Sequence, residues 1–284
     1  MKLSIIIPAK NEANSLKSLI PELKLLSVAS EIIVVNDGSS DNTSEICKEH
    51  NVKEVLHPYS KGNGAAVKSG AREATGDVLI FMDGDGQHRP EDIHKLVEGI
   101  RSGYDMVIGS RNAEGQANIG RGFANGLYNR LASYVTGHEV KDLTSGFRAV
   151  NALKFREFLY LLPNGFSYPT TSTLAFFRAG YSVSYVGIDV KKRIGKSHLK
   201  PVKDGVRFLL IIFKIGTLYS PLKLFVPVSL SVFLLGVAYY CFTYITQGRF
   251  TNMSALMFTT SLVVFMVGLV SEQITALMYK NDNS

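Results

Sequence analysis

The sequence predicts an α/β protein with a mainly parallel sheet, followed by an interfacial helix and a two-helix transmembrane hairpin. Three observations carry this. Short, continuously apolar runs alternate with helix-spaced segments through the first hundred residues, the pattern of parallel strands covered on both faces. Polar and acidic residues follow those runs directly. Near the C-terminal end stand two long uncharged stretches with a basic block before them.

Leu3–Pro8 (LSIIIP) reads as the first strand. The following segment, Asn11–Leu26, carries helix-spaced Leu16, Leu19, Ile20 and Leu23, and Pro21 predicts a break or kink inside it. Glu31–Asn36 is a second strand. Asp37-Gly38-Ser39-Ser40 is turn chemistry, and Asp41 or Asn42 can cap a helix running to Glu49. Val52–Leu56 is a third strand, before a helix from Gly64 to Ala74 closed by Gly76. Val78–Met82 is the fourth strand, Pro90–Ile100 a helix with proline in its first turn, and Met106–Ile108 lies in a fifth strand.

Composition narrows the function. Of the 284 residues 46% are hydrophobic and 19% charged, which excludes a disordered chain. Cys47 and Cys241 are too few for a disulfide framework or a cysteine-based zinc site. The net charge of +7 is local. Residues 1–189 hold 20 basic and 21 acidic residues, 190–223 hold 9 and 1, and 224–284 hold 2 and 2. A basic excess bordering an apolar run points to a membrane surface and away from nucleic acid.

Leu224–Thr246 is 23 uncharged residues, about 35 Å as a helix against a hydrocarbon core of about 30 Å. A second run, Thr251–Ser271, follows so closely that the two must form an antiparallel hairpin. Residues 206–219 read as a helix lying on the membrane, with a buried helix of the soluble part as the alternative. The expected division is 1–200 for the α/β domain, 201–221 for the basic juxtamembrane helix, and 222–279 for spans at about 224–246 and 251–271. The basic block before the first span, against Arg249 alone in the connecting loop, places residues 1–223 and the C-terminal tail on the cytoplasmic side. Leu3–Pro8 is too short for the apolar core of a signal peptide.

In an open parallel sheet, ligands bind beyond the C-terminal strand ends. Those ends carry Asn11 and Glu12, Asp37, Asp83 and Asp85, and Ser110 and Arg111. In Asp83-Gly84-Asp85-Gly86-Gln87-His88, two carboxylates and a side-chain amide at alternate positions are hard oxygen donors suited to Mg²⁺ or Mn²⁺ on a diphosphate. The loop lacks the bidentate Glu of an EF-hand. Gly62-Asn63-Gly64 precedes a helix, but no third glycine completes a dinucleotide fingerprint, and no P-loop occurs.

These motifs resemble family 2 glycosyltransferases of the polyprenyl-phosphate group, which includes dolichyl-phosphate mannose synthases and undecaprenyl-phosphate glucosyltransferases. The matching segments are IIIPAKNEANSL (5–16), VVNDGSSDNT (34–43), GNGAAVKSGAREATGDVLIFMDGDGQHRPEDI (62–93), GSR (109–111), DLTSGFRA (142–149) and GKSHL (195–199). The resemblance implies a GT-A, Rossmann-like domain. It also implies inverting transfer of a hexose-type sugar from a UDP- or GDP-linked donor to a polyprenyl phosphate, at a membrane and with Mg²⁺ or Mn²⁺. It leaves a homo-oligomer open. By resemblance Pro8, Ala9, Glu12, Val35 and Asp37 would line the nucleotide pocket, with Asp83 and Gly84 at the nucleotide sugar. Asp85 and Gln87 would hold the metal, Arg111 would sit by the diphosphate or acceptor phosphate, and Asp142 and Ser145 would shape the active-site loop. Arg121, Lys192, Arg193, Lys196 and His198 would meet the acceptor phosphate.

The sequence departs from the family pattern at two places. Lys192 and His198 stand where relatives usually carry Arg and Lys, and Ser167–Thr173 has no acidic residue where relatives start a helix with one. Rival readings fit less well. A processive synthase needs a tryptophan motif and the chain has no Trp, while a nucleotidyltransferase needs a glycine-rich loop that residues 5–14 lack. The non-catalytic alternative, a membrane-anchored nucleotide-sugar binder, has no use for an intact Asp83, Asp85, Gln87 and Arg111, and a glycosyltransferase acting on another lipid acceptor is the other alternative.

Overall fold

The structure is a computed structural model that describes residues 1–26, 31–111, 119–165, 167–190, 213, 216, 217 and 219–280, and of 119–125, 279 and 280 the backbone only. The chain divides into two compact units, Met1–Arg130 with His138–Leu199, and Leu131–Gly137 with Lys200–Ser284. Lys192, Arg193, Lys196 and His198, and most of the expected interfacial helix, lie outside the described residues.

The first unit is a seven-stranded sheet in the order β3-β2-β1-β4-β6-β5-β7. Its strands are β1 Leu3–Ala9, β2 Glu31–Asn36, β3 Lys53–Leu56, β4 Val78–Phe81, β5 Met106–Arg111, β6 Arg148–Asn151 and β7 Val183–Ile188. Every pairing is parallel except those of β6, which runs antiparallel to both β4 and β5. The helices are α1 Ala13–Leu25, α2 Thr43–Glu49, α3 Asn63–Glu73, α4 Ile93–Arg101 after a 3₁₀ turn at Pro90–Asp92, α5 Ile119–Thr136, α6 Ala152–Arg156 and α7 Tyr168–Arg178. The described helix α1 is continuous through Pro21, so the expected break does not occur. Leu16, Leu19, Ile20 and Leu23 hold both halves of α1 to the core, and that burial outweighs one lost backbone hydrogen bond.

Alternation along β1 explains its continuous apolar character. Ile5 and Ile7 join the α1 leucines, Val34 and Ile80 in one cluster. Ile6 points the other way, against Gly70 of α3, where any side chain would collide with it. Both faces are therefore covered. The polar Ser4 is fully buried in this strand, and its hydroxyl donates to Glu31 while accepting from the Gly76 amide.

The second unit contains α8, Pro221–Gln247, and α9, Asn252–Lys280. Both outrun the expected spans because polar ends extend each helix. Their mean hydropathy is 2.0 and 2.1, and only 11% and 17% of their most apolar windows are buried. Core helices of a water-soluble protein are mostly buried, so these faces are suited to lipid. Small residues let the two backbones approach. A Cβ at Gly268 would lie 2.7 Å from Phe225 Cβ, and one at Gly236 would lie 3.1 Å from Met257 Cβ. Between these points Ser229 and Ser261 each donate to the other's carbonyl at 2.9 Å. At the start of α8, Lys223 Nζ donates to the carbonyls of Val135 (2.8 Å) and Tyr134 (3.3 Å) at the C-terminal end of α5, where a cation offsets the helix dipole.

The reciprocal serine pair gives a first prediction. Ser229→Val should destabilise the hairpin by about 1 kcal/mol, and Ser229→Val with Ser261→Val should cost less than the sum of the single changes. Reversible unfolding of the four proteins in a lipid-like detergent measures this. Strict additivity would show that the pair carries no coupling.

Candidate active site

Parallel pairing of β2, β1 and β4, with β5 parallel to β4 across β6, brings the C-terminal ends of four strands to one edge. Because β6 runs the other way, its first residues and the preceding segment 142–147 come to that same edge. The loops there are tied to one another by side chains. Asn11, at φ 58°, accepts from the Ser40 amide at 2.8 Å. Ser39 Oγ accepts from the Asn11 amide (3.0 Å), and Asp41 from the Ala13 amide (3.0 Å).

Asp37 is the centre of this web. It is 4% exposed. Its carboxylate accepts from His57 Nδ1 (2.7 Å), Ser60 Oγ (2.8 Å), the Lys61 amide (2.8 Å) and the Gly62 amide (2.9 Å). Its own amide donates to Ala9 O at 2.8 Å. An ionised carboxylate only accepts, so His57 carries its proton on Nδ1, and its Nε2 meets Ser69 Oγ at 2.9 Å. Burial raises the Asp37 pKa, but these four hydrogen bonds outweigh it and hold the group down at about 2. Asp37 thus organises the loop after β3 from the edge of the expected nucleotide pocket. Val35 is fully buried and packs toward Gly70, while Pro8 and Glu12 are half-buried at the rim.

The glycines of Gly62-Asn63-Gly64 serve close packing. A Cβ at either would collide with the backbone of Pro163 or Asn164. The first amides of α3 donate to Gly165 O (3.2 Å) and Asn164 O (3.1 Å), so this helix start is occupied by the chain's own carbonyls.

Asp83, Asp85 and Gln87 are half-buried in the loop after β4. Gly84 lies against Pro8, where a Cβ would stand 3.2 Å from the Pro8 carbonyl, and Gly86 takes φ 71°. The Gln87 amide donates to Asp85 Oδ1 at 3.1 Å, which curls the loop. The Asp83 carboxylate rests on Gly146, where a Cβ would come 3.0 Å from Asp83 Oδ2. Oxygen donors from two carboxylates and one amide fit Mg²⁺ or Mn²⁺. Among the described residues no group of three or more His, Cys, Asp or Glu forms a closed metal cage, which leaves a cation here dependent on ligand and water oxygens.

Arg111 and Asp142 form a two-pronged pair: Nε to Oδ2 at 2.8 Å and Nη2 to Oδ1 at 2.9 Å. Thr144 Oγ1 accepts from Arg111 Nη2 at 2.6 Å. Burial alone would raise the Asp142 pKa, but Arg111 lowers it; Arg111 itself is shifted up by Asp142, with help from Asp83, against its own burial. Ser145 is 2% exposed and its hydroxyl has no partner among the described residues. Arg121 lies in α5, where only backbone is described.

Three residues at this edge escape sequence reasoning. Asn129 brackets Asp142, donating to Lys141 O (2.6 Å) and accepting from the Leu143 amide (3.1 Å). His88 is buried and stacks on Phe147 with ring centroids 4.9 Å apart. Arg148 is wholly buried. Asn129 sits in a helix read from no motif, whereas His88 and Arg148 fall inside the motif segments and could have been found there.

A mostly parallel sheet with an oxygen-donor loop after its fourth strand and an Arg–Asp pair across the same edge is the architecture of a GT-A transferase domain. Comparison with known proteins agrees. Residues 4–159, more than half of the chain, match Glycosyl transferase family 2, and residues 220–277 match the GtrB C-terminal hairpin. The chain belongs to glycosyl transferase family 2. It is 38% identical over 162 residues to a dolichol-phosphate mannosyltransferase of Pyrococcus furiosus, covering 53% of this chain and 46% of that protein. It is 35% identical over 158 residues to an undecaprenyl-phosphate 4-deoxy-4-formamido-L-arabinose transferase of Yersinia pestis, covering 52% and 48%. The chain thus spans about half the length of these curated relatives. In fold it is similar to glucosyl-3-phosphoglycerate synthase of Mycobacterium tuberculosis in complex with Mn²⁺, UDP-glucose and phosphoglyceric acid, with TM-score 0.63, 20% identity, and 76% of this chain and 79% of that one covered.

Acid titration tests the Asp37 web. The folded pKa of about 2 lies below the ordinary 3.8, so its stabilisation is complete above pH 4 and is lost as pH falls toward 2, about 2 kcal/mol in all. Asp37→Asn should therefore be less stable at pH 7 and lose less on acidification. Chemical denaturation at pH 7, 4 and 3 checks this. Parallel stability curves for the two proteins would remove Asp37 from that role.

Proposed function

We propose that this chain is a membrane-bound inverting glycosyltransferase that moves a hexose-type sugar from a UDP- or GDP-linked donor to a polyprenyl phosphate. The observation that carries this is the Asp83–Gln87 oxygen-donor loop at the sheet edge, in a chain that also holds two helices long and apolar enough to cross a membrane. The two curated relatives support it, since both are named for sugar transfer to polyprenyl phosphates.

Asp83 and Gly84 would face the donor sugar and its nucleotide, with Pro8, Ala9 and Glu12 along the pocket wall. Asp85 and Gln87 would hold Mg²⁺ or Mn²⁺, and crystals of the M. tuberculosis synthase with Mn²⁺ and UDP support that choice. Such a cation supplies charge neutralisation on the leaving diphosphate. A phosphate acceptor is already anionic and needs no strong base, so the chain's task is orientation. Arg111, held by Asp142 and Thr144, presents fixed positive charge there. The basic block 190–223 would draw the anionic lipid headgroup to the cytoplasmic face, and Arg121, Lys192, Arg193, Lys196 and His198 are its proposed contacts. The boundaries proposed are a catalytic domain to about residue 200, a juxtamembrane helix to 221 and the hairpin beyond.

The test is a panel of UDP- and GDP-sugars against undecaprenyl and dolichyl phosphate in detergent, with products read by mass spectrometry. Transfer should stop on chelation with EDTA and return with Mg²⁺ or Mn²⁺. Asp85→Ala should lower turnover at least about a hundredfold without lowering thermal stability, because a half-buried rim carboxylate adds little to the core. Undiminished transfer by Asp85→Ala in chelated buffer would sink the assignment.

A further inference from the structure

Arg148, the first residue of β6, is among the largest side chains fully buried in the protein. A guanidinium so placed is costly unless it is paired. Among the described residues no carboxylate makes an ion pair with it. Neutral oxygens receive its protons instead. Nη1 donates to Pro169 O (2.9 Å), Ser172 Oγ (2.9 Å) and Thr173 Oγ1 (3.0 Å), and Nη2 donates to Ser145 O. Both hydroxyls spend their own protons on Pro169 O, at 3.1 and 2.8 Å, so each offers lone pairs to the arginine. The Tyr168 ring lies 6.0 Å from its carbon centre, and Nε has no partner among the described residues.

What this cation holds is the three-residue segment before it. Ser145 O is its acceptor. The next carbonyl, Gly146 O, accepts from Tyr168 Oη at 3.3 Å. The Cα of Gly146 faces the Asp83 carboxylate so closely that a Cβ would stand 3.0 Å from Oδ2. Phe147 then stacks on His88, which directly follows Gln87. Residues 145–147 are therefore pinned from beneath by Arg148 and Tyr168. Above, they touch the loop 83–88 at both of its ends. The carboxylates that act on Arg148 through space are Asp142 and Asp83, both at this edge.

We propose that Arg148 is a positioning residue for sugar transfer: by gripping Ser145 O it fixes the Gly146 floor on which the Asp83 carboxylate rests. This rests on the reading of loop 83–88 as the donor site. A cation bound to neutral partners suits the task, because a carboxylate partner would compete with the backbone carbonyl for the same fork and cancel the charge that Asp83 and Asp142 feel.

The test uses the full chain in detergent with three variants: Arg148→Lys, Arg148→Met and Gly146→Ala. Kinetics are read with UDP-glucose and GDP-mannose as donors and undecaprenyl phosphate as acceptor. Hydrogen exchange by mass spectrometry is read over residues 142–149 and over β1 and α1. Misplacing Asp83 should cost Arg148→Met about a hundredfold in kcat/KM, through a raised donor KM with the acceptor KM unchanged. Arg148→Lys should recover part of the loss, and Gly146→Ala should raise the donor KM with Arg148 intact. Exchange in Arg148→Met should rise over 142–149 and stay native in β1 and α1. A merely structural arginine would lower kcat with the folded fraction, leave both KM values at wild type and loosen the whole core; that result overturns the proposal. So does a wild-type donor KM in Gly146→Ala. If Arg148→Met does not fold, Arg148→Lys and Gly146→Ala decide by the same KM criterion. If wild type uses neither donor, nor any other sugar of the donor panel, the functional reading is what has failed, and the exchange pattern alone decides the positioning role: a selective rise supports it and an unchanged pattern overturns it.

Discussion

The saturated Asp37 carboxylate holds together what a parallel sheet cannot hold by itself. At the C-terminal ends of parallel strands the ladder of backbone hydrogen bonds runs out, and each crossover leaves in its own direction. Asp37 joins three of these departures. Its amide binds the end of β1, its carboxylate gathers residues 57–62 after β3, and its own loop leads to α2. His57 extends the connection to Ser69 of α3. An acid at a strand end invites a role in contacting ligand, yet here all four acceptor directions are taken by the chain. What this acid does is hold the loops of the edge together.

The legibility of the fold follows from burial. Strands β1, β2 and β4 are covered on both faces, so they read as unbroken apolar runs, and their bounds follow within a residue or two. Segments after Arg111 are harder. β6 begins with an arginine, β7 alternates Val, Ser and Tyr on the outer side of the sheet, and α7 carries Thr170, Thr171, Ser172 and Thr173 near its start, all buried. The hydroxyls of Ser172 and Thr173 are inside because they serve Arg148. Polar sequence usually marks a surface, and only the three-dimensional pairing turns it into a core.

The site shows the same division. The oxygen-donor loop could be read from Asp83, Asp85 and Gln87 because the donors are local in sequence. Partners distant in sequence could not. Nothing in the spacing of 31 residues says that Arg111 grips Asp142 with two prongs, or that Asn129 holds both peptide groups flanking that acid. Gly146 is similar. As a residue it signals a turn, but in the structure its missing side chain is the space the Asp83 carboxylate occupies.

Charge arithmetic at this edge bears on how a diphosphate could be received. Asp83, Asp85 and Asp142 carry three formal negative charges, and Arg111 and Arg148 return two, so these five groups leave one negative charge facing the incoming anion. Arg111 is already committed to Asp142, and Arg148 is fully buried behind Ser145. The Arg111 charge is offset by Asp142 and Arg148 is out of a ligand's reach, so neither cancels the charge of Asp85. A divalent cation held by the oxygens of the half-buried loop 83–87 would supply the missing positive charge. Arg148 is then better understood as holding segment 145–147 still than as binding phosphate. Carboxylates fixed in advance would avoid reorganisation on donor binding, and the full burial of Arg148 suits such a role.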